Sequence, residues 1–210
     1  MIDEFENEEV IGDVGNFTLA PSGNHAAICI SVVVIGTVPT KYKGHDKMQK
    51  IVRLGFELPN KRHVFNESKG EEPFVVYKEY SLSMGDNSNL KKMIDSWRGE
   101  KLTKEEAKKF NIVKLLGCEC MCNVVVKTSE SSKQYNDIAT VSPIPEELTV
   151  PAQSNKNTLF NFNLPFKTEA FMSLPEFIQN KIKSSDEYKA LSLEESVSEI
   201  MPKTKKVIPF

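Results

Sequence analysis

The sequence predicts a mainly β protein. The expected fold is a five-stranded Greek-key barrel with one helix between its third and fourth strands, followed by an extended or helical C-terminal appendage. Three observations predict it. Phe74 to Met84 alternates: Phe74, Val76, Tyr80, Leu82 and Met84 fall on one face, and Tyr77, Glu79, Ser81 and Ser83 on the other. Period two is the mark of a strand with one buried face. From Asn87 to Gly99 the period switches, and Leu90, Met93, Ile94 and Trp97 form one helical stripe. Asn87 or Ser88 is placed to cap the start of that helix, and Gly99 to end it in the left-handed conformation. Two more β-type segments follow, Cys118 to Lys127 and Tyr135 to Val141, joined by the polar hairpin Thr128 to Gln134. A single helix at that place in the strand order closes a barrel of the oligonucleotide-binding (OB) type.

The other elements follow in chain order. Residues 1–23 carry Asp3, Glu4, Glu6, Glu8, Glu9 and Asp13 and no Lys or Arg, so they read as a solvated acidic arm. The barrel is assigned to residues 24–145. Asn24 to Thr37 is a long β-branched run, apolar on both faces over part of its length, as a central strand requires. Gly36 suits a bend or bulge at its end. Val38 to Gln49 reads as a polar loop. Lys50 to Leu58 is the second strand, with Val52, Leu54, Phe56 and Leu58 inward and Ile51, Arg53, Gly55 and Glu57 outward. Asn60 to Pro73 reads as a second polar loop. Thr103-Lys104-Glu105-Glu106 is a capping box that opens a short helix. Pro143 and Pro145 stop the barrel.

Residues 146–190 form the appendage. Leu159, Phe160, Phe162, Leu164, Phe166, Phe171 and Leu174 are too apolar to stay in solvent and should pack on the barrel. Pro175 opens a helix with Phe177, Ile178 and Ile182 on one face. Residues 191–210 read as a flexible tail ending Ile208-Pro209-Phe210.

Composition bounds the function. The chain is 40% apolar and 27% charged, with net charge −2, so any nucleic-acid surface must be a local patch. The N-terminus has no signal-peptide core, and no apolar run is long enough to span a membrane. The cysteines Cys29, Cys118, Cys120 and Cys122 are therefore expected as reduced thiols inside a cell. There is no dinucleotide fingerprint or phosphate loop, and His25, His45 and His63 lack sequence-local catalytic partners. No enzyme, cofactor or metal is expected. Cys118-x-Cys120-x-Cys122 would point three thiols to one strand face, but zinc sites favour two paired knuckles, so buried apolar cysteines are the expectation.

Basic and aromatic residues together give the strongest signal. Between Thr40 and His63 lie Lys41, Lys43, Lys47, Lys50, Arg53, Lys61 and Arg62, against only Asp46 and Glu57. Tyr42 sits between two of these lysines. The third strand adds Tyr77, with Lys78 beside it, and the last hairpin adds Lys127, Lys133 and Tyr135. A single strand needs cations along its phosphates and rings on which its bases stack. Gly55, on the same outer face, would let a base approach closely. Trp97 completes the helix stripe and should plug the barrel bottom. The other reading open at this point is a barrel used for protein contacts in a virion or replisome, without DNA affinity, since fold alone cannot choose.

Three blocks carry a resemblance. They are Leu54-Gly55-Phe56-Glu57-Leu58-Pro59; Tyr80 to Met84 leading to Ser96-Trp97-Arg98-Gly99-Glu100-Lys101-Leu102-Thr103; and Leu115-Leu116-Gly117-x-x-Cys120-x-x-Asn123-Val124 followed by Tyr135 to Pro145. Their order resembles a group of bacteriophage-encoded OB-barrel proteins associated with single-stranded DNA binding in phage replication and recombination. The likeness covers Gly23 to Pro145, with a weaker echo in Leu174 to Tyr188. It implies single-stranded DNA as partner and the cytoplasm of a bacterial host as location. Separately, Ile208-Pro209-Phe210 is similar to the tip of bacterial single-stranded DNA-binding proteins, which implies docking of replication or recombination proteins there. Lys203, Lys205 and Lys206 stand where that family carries acids.

Overall fold

The computed structural model describes residues 18–42, 45–162 and 167–191. In chain order these form β1 (Gly23–Tyr42), β2 (His45–Asn66), β3 (Gly70–Ser81), α1 (Asn89–Arg98), α2 (Lys104–Lys109) and a 3-10 turn (Ile112–Leu115). Then come β4 (Glu119–Thr128), β5 (Gln134–Ser142), β6 (Thr158–Phe160), α3 (Thr168–Met172) and α4 (Glu176–Lys183). Strands β3-β2-β1-β4-β5 make one curled antiparallel sheet, a half-barrel.

β1 organises the sheet because it serves three neighbours. Gly23 to Ile28 pairs with β4, Ile28 to Tyr42 pairs with β2, and Ser31 to Val33 takes β6 in parallel. Bulges near Ser31 and at Gly36 bend it between these partners. No backbone ladder joins β3 to β5 among the described residues. Lys78 bridges that seam: its Nζ donates to the Ile138 carbonyl and lies 3.1 Å from the Asp137 carboxylate.

The inward alternation fills the concave side. Val52, Leu54, Phe56 and Leu58 of β2 and Phe74, Val76 and Tyr80 of β3 pack with Leu90, Met93, Ile94 and Trp97 of α1. Ser88 caps α1 by accepting the Lys91 N–H at 3.1 Å, and Gly99 ends it at φ 75°. Trp97 closes the bottom: its Nε1 donates to the Glu119 carbonyl at 2.8 Å, and its ring lies 5.6 Å from that of Phe56. Both bonds of the Thr103–Glu106 capping box are present.

Three expectations need correction. Val38 to Gln49 and Asn60 to Pro73 are not loops: Thr37↔Lys50 to Tyr42↔His45 and Arg62↔Pro73 to Asn66↔Gly70 are paired as β-ribbons. Their polar composition reflects exposure, not irregular backbone. The first ribbon is held by buried Val38 and by the Thr40 hydroxyl, which donates to the Lys47 carbonyl at 2.9 Å. The second is held by rings: Phe65 lies 5.0 Å from Phe74 and 5.1 Å from His63. The thiol ladder also fails. Cys120 and Cys122 are buried with sulfurs 3.6 Å apart, but Cys118 precedes β4 and is exposed. Burial pushes the Cys29 thiol up to about 12, so it stays protonated as a packing group.

A second core lies on the outer face of β1. Val33, Ile35, Val38 and Ile51 meet Phe160, Phe171, Leu174, Ile178 and Ile182. Leu164 and Phe166 lie outside the described residues. Two carboxylates fasten the chain here. Glu57, fully buried, accepts the Ser154 N–H at 2.7 Å and the Asn155 N–H at 2.8 Å. Glu187 accepts the Thr37 N–H at 2.6 Å and lies 3.2 Å from Lys50 Nζ. Gly36, at φ 97°, seats this second contact: a Cβ there would meet Ser185 at 2.7 Å and Glu187 at 2.8 Å. Gly36→Ala is therefore expected to cost more than about 1 kcal/mol, read as a lower urea midpoint with an unchanged slope.

Burial opposes the charge on Glu187, but the Thr37 N–H and hydroxyl and Lys50 outweigh it and hold the carboxyl below its ordinary value. A depressed folded value means stability that is present above the unfolded value and lost as pH falls through the folded one. Thermal melts taken down through the carboxylate range should show this loss, and Glu187→Gln should lessen it by the Glu187 share, leaving that of Asp137.

Candidate nucleic-acid interface

The appendage covers the outer face of β2 at two places in its middle, Ile51 and Glu57. Ile51 is in the second core and Glu57 is bound to residues 154–155. Arg53 and Gly55 remain between them.

Gly55 faces Tyr77 across the strand pair. A Cβ on Gly55 would come within 2.5 Å of the Tyr77 ring and 2.9 Å of Ser31 Cβ. The space over this glycine is therefore taken by the protein's own tyrosine, not left open for a base as expected. The aromatic ring covers backbone that a glycine would leave bare.

Arg53 is held from several sides. Its Cζ lies 4.3 Å from the Tyr77 ring centre and 5.6 Å from that of Phe177 on α4. Its Nη1 is 3.7 Å from Glu79, which also pairs with Lys181. Burial draws the Arg53 guanidinium below its ordinary pKa against the pull of Glu79, yet an arginine remains a cation at neutral pH. Burial raises the Tyr77 phenol, partly offset by Arg53, so it stays neutral. Tyr77 is 40% exposed and Phe177 61% exposed. The result is a ring–guanidinium–ring arrangement whose two rings are exposed while the Arg53 side chain between them is 20% exposed.

No family model, curated protein or solved structure matches the chain.

The remaining predicted residues fall in three places. The first ribbon carries Lys41, Lys47 and Lys50, all exposed, with Lys50 tied to Glu187. The side chain of Tyr42 and all of Lys43 lie outside the described residues. The second ribbon, at the far end of β2, carries Lys61 and Arg62, and Arg62 donates to the Glu71 carbonyl at 2.8 Å and to Ser154 Oγ at 3.2 Å. Lys47 and Lys61 are separated along β2 by on the order of 45 Å of extended chain. The third place is the β4–β5 hairpin, with exposed Lys133 and Tyr135. Lys78 and Lys127 both turn to Asp137 in the β3–β5 seam, away from Arg53 and Tyr77. Burial opposes the Asp137 charge, but these two lysines hold its carboxyl below the ordinary range. Ile208, Pro209 and Phe210 lie outside the described residues.

Phe177 is the member that sequence reasoning misplaced. The sequence pattern groups it with Ile178 and Ile182 on one apolar face. Those two, spaced i, i+4, are buried, whereas Phe177 and Lys181 share the neighbouring stripe, which reaches Arg53 and Glu79. That second i, i+4 pair was the available signal.

Proposed function

We propose that this protein is a non-enzymatic, sequence-independent single-stranded DNA-binding protein, acting in phage DNA replication or recombination in the host cytoplasm. The observation that carries this reading is the Arg53 guanidinium held between the exposed rings of Tyr77 and Phe177, with lysines on ribbons at both ends of β2. Stacking tolerates any base because every base has a π-face, and the cations meet phosphates without reading sequence. The strand order β3-β2-β1-β4-β5, with Lys78 spanning the two free edges, supports an OB-type Greek-key barrel. Ile208-Pro209-Phe210 would serve as a docking tip for replication or recombination proteins.

Competition titrations test this. Fluorescent oligo-dT should be displaced about equally well by single strands of any composition, and much less well by duplex of the same length. Preference for duplex, or for one sequence, would overturn the proposal. One observation favours the protein-contact reading: Val64 and Phe65 are 44% and 47% exposed on the second ribbon. A protein that binds no strand but is captured through that ribbon would establish it.

A further inference from the structure

The seam between β3 and β5 does not close, and α1 crosses its end. A groove of about 1120 Å³ results, bounded by the base of the first ribbon, the end of β3, α1 and β5. The helix contributes Asn89, Lys92 and Ser96, spaced i, i+3, i+7, so they form one polar stripe flanking the buried one. The ribbon contributes Lys47 and Lys50.

Of the groove's two acids, Glu79 is matched, by Arg53 and Lys181. Asp86 is exposed, and its neighbour Lys91, 3.9 Å away, pairs more closely with Asp95, at 2.8 Å. Lys50 and Lys78 are tied to Glu187 and Asp137. Among the described residues, Lys47 and Lys92 have no ion-pair partner, and they line the groove from two different elements, the first ribbon and α1. In a chain of net charge −2, this is a local positive channel. It meets the stacking face at Glu79, which lines the groove and also contacts Arg53.

We propose that the groove is a second phosphate-binding subsite, in which the strand leaving the Arg53–Tyr77–Phe177 face runs between Lys47 and Lys92. This rests on the single-stranded DNA reading above. Lys92 is then a nucleic-acid contact supplied by the helix that also plugs the barrel.

The test is the salt dependence of oligo-dT binding by Lys47→Gln/Lys92→Gln. Each phosphate contact on a single strand adds about 0.7 to the log–log salt slope, which is about fivefold in affinity at about 0.1 M salt. The double variant should lower the slope by about 1.4 and weaken binding roughly 25-fold. Lys104→Gln/Lys109→Gln removes the same charge from exposed sites on α2, outside the groove, and should leave the slope unchanged. Wild-type binding with an unchanged slope in the groove variant, or equal losses in both doubles, overturns the subsite and spares the proposed function. Absence of wild-type binding overturns both.

Discussion

Arg53→Ala and Tyr77→Ala should each weaken single-stranded DNA binding by about 1–3 kcal/mol, or roughly five- to 150-fold. The reasoning starts from contact geometry. Arg53 lies 4.3 Å from the Tyr77 ring centre and 5.6 Å from that of Phe177, so each ring is oriented by the same guanidinium. Removing Arg53 deletes a cation, frees both rings and leaves Glu79 with Lys181 alone. Removing Tyr77 deletes a stacking surface and bares Gly55. Arg53→Lys keeps the charge and loses the plane, so it should retain the salt slope but not the affinity. Fluorescence titration checks all three, with thermal melts to confirm folding. Wild-type affinity in both alanine variants would remove this face as the site.

The largest stability effect is expected at Phe160. It is 1% exposed, pairs through β6 with β1, and has the rings of Phe162 and Phe171 at 5.5 and 5.9 Å. Truncating a buried phenylalanine costs about 3–5 kcal/mol. For a chain of this size that lowers the melting temperature by roughly 6–20 °C. The effect should reach function, because Phe177 and Lys181 are positioned by the same second core. Phe160→Ala should therefore also lose strand affinity. Leu148→Ala, at an exposed position, should change neither. A Phe160→Ala protein melting within about 2 °C of wild type would show that the appendage is not held as described.

Much of the half-barrel's interior is legible in the sequence, because period two on β2 and β3 and the Leu90–Trp97 stripe follow directly from burying one face. The caps at Ser88, Gly99 and Thr103 are legible because only a few side chains satisfy helix ends. The two ribbons are not, because an exposed two-stranded ribbon has no buried face to pattern it. Glu57 is misleading for a different reason: a carboxylate on an outer face reads as solvated, yet backbone N–H groups nearly a hundred residues away bury it. Cys118 fails by a single position, since β4 begins at Glu119. At the candidate site, Tyr77 and Arg53 are legible as an outward aromatic beside an outward cation. The ring over Gly55 and the approach of Phe177 depend on strand register and on a helix packed from far along the chain.

The most direct test of the central claim is oligo-dT affinity of the wild-type protein measured at rising salt. Tight binding at low salt should fall steeply, with a log–log slope of about 0.7 for each phosphate contacted. Failure to bind, or tight binding indifferent to salt, would contradict a surface built from lysines, Arg53 and stacking rings.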